Sequence, residues 1–320
     1  MKHFLYIILL GLTLSIRCQQ TGQFTQFTFN KYGYNPAAAG TNINNNLELI
    51  IGGRKQWIGL NRAPTSNFLS VNYTIKPERS YKHWHNFGFY LANESAGIYR
   101  NDSYYLSYTI HLPLNKKTYL SFGIFGGLKN FSVDKASISK SDPVFAATYD
   151  DYFLAYPDFI PGMRLYSKKK FLDVSVKQLY KNRQVQGNKQ IGHKSLLVPQ
   201  LYVSFGNKYL LNNGVLFVPA FNIHTSFTNI PSVELNMMTY YLRRLGLGIS
   251  IRNKDFVSGI LQVRFLKNMT LGLSYDYSIN QLNQVAPNTI EFMIGLTPLM
   301  NFMGIDNEQY NITKCPSFDF

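Results

Sequence analysis

Charge is scarce in this chain. Asp, Glu, Lys and Arg make up 15% of its 320 residues, where soluble domains carry nearer a quarter. Cysteine is scarcer: of the two present, Cys18 closes the apolar N-terminal run, so cleavage after it leaves Cys315 alone and excludes an intrachain disulfide. Long hydrophobic runs are missing as well, and nothing beyond the first residues approaches the ~20 apolar residues of a membrane-spanning helix. Acid is in deficit, with 17 Asp and Glu against 32 Lys and Arg. Such a basic balance turns a protein toward nucleic acid or an anionic membrane surface. No basic helix, zinc spacing or RNA-binding signature is present, which leaves the membrane and no nucleic acid partner. No serine sits in a nucleophile elbow, so nothing supports an esterase or protease, and no cofactor motif is found. What is abundant is aromatic, with 23 Tyr and 24 Phe, residues that favour strands and membrane interfaces.

The first residues read as a secretory signal over 1–18. Lys2 and His3 start it, and "FLYIILLGL" forms an apolar core too short to span a bilayer. Arg17 stands where a lipobox needs a small residue, so cleavage after Cys18 is preferred over lipidation there.

Period-two alternation fills most of the remainder. In "LGLSYDYSI", Leu271, Leu273, Tyr275, Tyr277 and Ile279 face one way and Gly272, Ser274, Asp276 and Ser278 the other. "FLSVNYTI", "YYLSYTIHL", "LGLGISIR" and "IEFMIGLT" repeat the pattern. About fourteen strands follow, near 46–56, 65–76, 85–94, 103–113, 118–129, 157–167, 170–178, 197–206, 214–224, 232–241, 244–252, 255–265, 269–278 and 289–298. Many reach the ~9–11 residues of a transmembrane strand, and the number is even. The two longest connections, near 130–156 and 179–196, fall at one end, and the short links at 114–117, 168–169, 242–243 and 266–268 at the other. Long outer loops over short periplasmic turns mark an all-β, transmembrane outer-membrane β-barrel of antiparallel strands. The expected organisation is a signal over 1–18, a periplasmic N-terminal segment or plug over 19–45, a barrel over 46–300 and a tail over 301–320.

Four stretches resemble one family. "QFTQFTFNKYGYNPAAAG", Gln23 to Gly40, is similar to the opening of the PorP/SprF family of type IX secretion system membrane proteins, with Asn35, Pro36 and Gly40 in its Asn-Pro-Ala-x-Ala-Gly motif. "GGRKQWIGLNRAPTSNFLSVNY" resembles the family's Arg-x-Gln-Trp-x-Gly core, carried here by Arg54, Gln56, Trp57 and Gly59, with Ala63, Pro64 and Ser66 after it. Arg62 stands where a glycine is common. The late hairpins from Leu245 to Asn280 and the closing "NTIEFMIGL" are also similar, whereas roughly 130–240 carries little motif. Family members often stop near the last strand, but this chain continues past Thr297. The resemblance implies a non-enzymatic outer-membrane component working with the type IX secretion machinery of Bacteroidota. It would support export or surface anchoring of a secreted cargo protein, adhesins for gliding motility among them. The alternative is a passive outer-membrane porin or nutrient channel. A blocked lumen favours the first and a continuous water-filled pore the second.

Candidate site residues follow from pleat and motif. Asn35-Pro36 breaks a strand or helix and starts a turn, and the alanines after it can pack against backbone. A periplasmic cap is the preferred reading of this segment; a plug or a docking element for partners is the sharper one. Glu234, Asn236, Arg252, Arg264, Asp276 and Glu291 fall on the polar face of late strands. A charge facing lipid at the midplane costs ~2–4 kcal/mol for Arg or Lys, so these residues are expected to face the lumen as a salt-bridge network, with Arg264–Asp276 or Arg252–Glu291 as pairs. A polar pore lining is the functional alternative. Trp57 reads as an interface anchor or a partner contact. "HWH", His83 to His85, offers two imidazoles but no third metal ligand, and reads as a periplasmic turn with an interfacial Trp. "GIFGG", Gly123 to Gly127, lacks the strand-turn-helix setting of a phosphate loop and reads as strand glycine. Asp150-Asp151 reads as part of a solvated loop.

Overall fold

The computed structural model describes residues 22–41, 46–75, 83–134, 153–179, 185–186, 189–190, 198–212, 214–226, 230–242, 244–253, 255–266, 268–286 and 288–298. Fourteen antiparallel strands form one wall: β1 Leu47–Lys55, β2 Thr65–Ile75, β3 Trp84–Ala96, β4 Tyr99–Pro113, β5 Thr118–Val133, β6 Phe153–Ser167, β7 Lys170–Lys177, β8 Gln200–Asn207, β9 Val215–Thr225, β10 Ser232–Tyr241, β11 Leu245–Arg252, β12 Phe256–Leu266, β13 Met269–Ser278 and β14 Asn288–Leu296. Each pairs with its neighbours in the chain, and β1 pairs with β14, so the sheet closes into a barrel. A four-residue strand, Tyr209–Asn212, leans on β9, and a small hairpin joins Val185–Gln186 to Lys189–Gln190. The stretches read as signal, 1–18, and tail, 301–320, lie outside the described residues, as do Asp150 and Asp151.

Alternation decides which way each side chain points. On β4, Leu106 is 69% exposed and its neighbour Ser107 is 7% exposed. Leu247, Ile249, Tyr275 and Phe292 are exposed in the same way, while Ser70, Thr109, Ser250 and Gln262 are buried. The apolar face therefore looks outward and the polar face inward, an inversion that is stable only where lipid covers the outside. No helix among the described residues is long and apolar enough to cross a membrane; the strands cross instead.

The wall is uneven. β3 to β6 run for 13, 15, 16 and 15 residues, whereas β1, β11 and β14 run for 9, 8 and 9. The alternation places the β3–β4 junction over 95–102, yet pairing continues to a two-residue turn at Gly97–Ile98, with Gly97 at φ 64°. Asn93, Glu94, Arg100 and Asp102 put polar groups on both faces there. The hydrophobic period therefore stops before the backbone ladder does.

Candidate functional site

The lumen is occupied by the chain itself. Residues 22–41 coil inside the wall, and almost all of Phe24 to Gly40 is buried. Asparagines do the coiling. Asn30 caps the four-residue helix α1, Lys31–Tyr34, its Oδ1 accepting from Gly33 N at 3.2 Å. Asn35 caps the Pro36–Ala38 turn, its Oδ1 accepting from Ala37 N at 2.9 Å. Pro36 occupies the first turn position, where its missing N–H costs nothing. With its backbone paired locally, the segment can turn its side chains to the wall. Phe24 meets Phe68 edge-on at 5.1 Å, Tyr32 meets Phe125 at 4.9 Å and Tyr34 meets Tyr202 at 5.4 Å.

One end of the segment rests on charge. Arg54 Nη1 donates to Asp276 Oδ2 at 2.7 Å and to Glu291 Oε1, and all three side chains are fully buried. Arg54 and Glu291 are directly opposed in the β1–β14 pair that closes the barrel. Glu291 also accepts from the backbone N–H groups of Thr25 at 2.6 Å and Gln26 at 3.1 Å, and from Ser274 Oγ at 3.1 Å. Thr25 Oγ1 donates to Asp276 at 2.8 Å and accepts from Arg252 Nη2 at 3.4 Å. Arg252 in turn donates to Glu234 through Nε at 3.1 Å and Nη2 at 3.0 Å, and Ser250 Oγ donates to the other oxygen of Glu234 at 2.6 Å. Thr25 thus stands between two ion pairs. The buried charges are compensated by pairing, without which their desolvation would be prohibitive.

The other end rests on missing side chains. A Cβ on Gly123 would lie 2.5 Å from Ala37 N, one on Gly162 would overlap Asn35 Oδ1, and one on Gly88 would overlap the Tyr32 hydroxyl. The wall is thinned where the segment's backbone presses on it. Ala37 and Ala39, 0% and 1% exposed, let that backbone come close. Thr109 Oγ1 donates to Pro36 O at 2.8 Å, Ser175 Oγ to Tyr34 O at 2.7 Å and Trp84 Nε1 to Gly40 O at 2.9 Å. Asn35 Nδ2 donates to Met163 O at 2.9 Å and to Asp173 Oδ1 at 3.1 Å. Asp173 is held by Arg164 Nη1 at 2.9 Å, directly across the β6–β7 pair. Two cavities beside the segment, of about 20 and 50 Å³, have room for a few waters.

The expected residues separate into groups. Asn35, Pro36 and Gly40 lie in the inner segment, and Arg54 joins Asp276, Glu291, Arg252 and Glu234 around Thr25. Asn236 reaches the same residue, Nδ2 donating to Thr25 O at 3.5 Å. The expected Arg264–Asp276 pair does not form. Arg264 sits six residues along β12, opposite Thr270, while Asp276 faces Ser258. Parity assigns a face, but only register assigns a height along the wall. Arg252 and Glu291 meet through Thr25 rather than directly. Gln56, Trp57 and Gly59 lie in the β1–β2 connection, away from the cluster. Trp57 N donates to Thr289 Oγ1 at 3.2 Å and Ile58 N to Asn288 O at 2.8 Å, laying that connection over the start of β14. Trp57, Gly59 and Arg62 all have positive φ there, at 49°, 109° and 55°. The Arg62 value is one a glycine adopts freely.

Trp84 corrects the interfacial reading of "HWH". It is 2% exposed and stacks on His111 at 4.8 Å inside the barrel. No group of three or more His, Cys, Asp or Glu is placed to hold a metal among the described residues. The Arg164–Asp173 pair and the glycine seats escaped the sequence reading. The pair carried a legible signal: both residues fall on inward parity across a two-residue turn. The glycines carried none, since their meaning depends on what presses on them.

A family model described as type IX secretion system membrane protein PorP/SprF matches residues 16–296. No curated protein matches the chain. Among solved structures, the Ralstonia pickettii toluene transporter TbuX is similar, with a TM-score of 0.53 and 8% identity over 82% of this chain and 92% of that one. A Pseudomonas aeruginosa FadL homologue aligns with a TM-score of 0.41 and 10% identity over 78% and 90%. At such identity the first likeness shows the fold, an outer-membrane barrel.

Proposed function

Because this chain belongs to the PorP/SprF family of type IX secretion system membrane proteins, we propose that it serves that outer-membrane machinery as a plugged, non-enzymatic barrel that supports export or surface anchoring of a secreted cargo protein. The observation that carries this reading is the filled lumen. Residues 22–41 act as a plug, tied to β1, β13 and β14 by the Arg54–Asp276–Glu291 cluster and seated on glycines of β3, β5 and β6. A small-solute channel needs a through-path, and the burial of residues 22–41 inside the wall speaks against one. With the lumen filled, what remains for partners is the outside of the molecule: its loops, rims and lipid-facing wall. Adhesins of the gliding type are the cargo class the family suggests.

Deleting the gene and comparing the secreted and surface proteomes tests this. Loss of one or a few exported proteins, restored by the intact gene, supports the reading. An unchanged exported set with slower uptake of a small solute would move the assignment to a channel.

A further inference from the structure

The two ends of the barrel differ in charge. In the sequence of the short connections at 76–83, 114–117, 168–169, 208–214, 242–244 and 267–268 there are eleven Lys or Arg and one acid, Glu78. The connections at the opposite end, 56–64, 97–98, 134–152, 178–199, 226–231, 253–255 and 279–287, carry eight basic residues and five acidic ones. By sequence, eleven basic residues against one acid give the rim of short connections most of the chain's net charge of +15. The described residues of that rim include no acid, and Lys116, Lys117, Lys169 and Arg244 are exposed on it.

The cations do not stand alone. Leu114, in the same turn as Lys116 and Lys117, is 56% exposed, and Tyr241 and Leu242, next to Arg244, are each 54% exposed. Tyr241 points outward from β10, by the same alternation that turns Tyr240 inward. An apolar side chain facing the hydrocarbon with a cation one turn beyond it matches the layering of a bilayer edge, acyl chain first and headgroup phosphate next. An acidic protein docking on the rim would need the cations but not the exposed apolar groups beside them.

We propose that this rim is a binding surface for anionic phospholipid headgroups, with Lys116, Lys117, Lys169 and Arg244 receiving the phosphates and Leu114, Tyr241 and Leu242 seating the acyl chains. In an outer-membrane barrel the short turns face the periplasm, so the ligand is the phospholipid of the inner leaflet. The bound lipids would fix the depth and tilt of the barrel beside its partners.

The test uses the purified full-length protein in mixed micelles with equal phosphatidylglycerol and phosphatidylcholine, and counts the lipid that remains bound. Phosphatidylglycerol is expected to be enriched, with the enrichment shrinking as salt rises. Lys116→Gln, Lys117→Gln and Arg244→Gln should each lower it about fivefold. Lys55→Gln and Arg100→Gln, exposed at the opposite end, should leave it unchanged. Equal retention of the two lipids, or an equal loss in the opposite-end variants, overturns the proposal. So does unchanged lipid preference in the rim variants together with loss of an acidic periplasmic protein that co-purifies with the parent chain.

Discussion

The two seats of the inner segment hold it by opposite means. At Thr25 and Gln26 the wall offers charge: one guanidinium shared by two carboxylates, all out of solvent. From Tyr32 to Gly40 the wall offers room: glycines where any other residue would collide with backbone or a polar side chain. The charged seat is directional, because its hydrogen bonds are met only when Thr25 and Gln26 present their N–H groups to Glu291. The glycine seat is a matter of shape, since dispersion rewards contact and punishes overlap. The first seat rests chiefly on partners and the second chiefly on room, though Gln26 presses on Gly272 in the first and Asp173 binds Asn35 in the second.

Breaking the charged seat should have the largest effect. Arg54→Ala leaves Asp276 and Glu291 buried without their cation, a loss of ~3–5 kcal/mol by the behaviour of broken buried pairs. Thermal unfolding in detergent measures it. Adding Asp276→Asn and Glu291→Gln to Arg54→Met should recover much of that loss, because no orphan charge remains. Strictly additive losses would show that the cluster is not a unit.

The glycine seat should break by enlargement. Gly123→Val forces its side chain into the Ala37 backbone and should cost ~1–3 kcal/mol as overpacking does. The same substitution at Gly259, which faces outward with nothing within 4 Å, should be nearly silent. Equal effects at the two glycines would mean that the cost is one of strand propensity rather than of the seat.

Asn35 caps the Pro36–Ala38 turn and also binds Asp173. Asn35→Ala should cost ~1–2 kcal/mol, through the lost cap and the lost donor to Met163 O and Asp173. Trp84→Phe removes one hydrogen bond to Gly40 O while keeping a ring against His111, and ~1 kcal/mol is expected. Both are read from the same unfolding curves.

How much was legible in the sequence follows the same division. The barrel was legible because period two persists over strand after strand, as in Leu271 to Ile279. Glu234, Arg252, Asp276 and Glu291 carry a polar parity that cannot face lipid, and all four are buried. Their pairing was not legible, since Arg54 meets Glu291 only when the first strand closes on the last, 237 residues away. The motif from Asn35 to Gly40 was visible as a turn with small residues after it. That it turns inward is decided by Gly88, Gly123 and Gly162, whose sequence neighbourhoods look like any strand. Trp84 misled for a related reason. Next to two histidines it resembles a girdle residue, and only parity with Asn86 and Tyr90 puts it indoors.

Ion conductance in planar bilayers shows whether the segment from Gly22 to Thr41 closes the barrel. The intact full-length chain should show no steps, and a chain lacking 22–41 should show stable ones of uniform size. Steps from the intact chain of the same size as those from the deleted one would contradict the account.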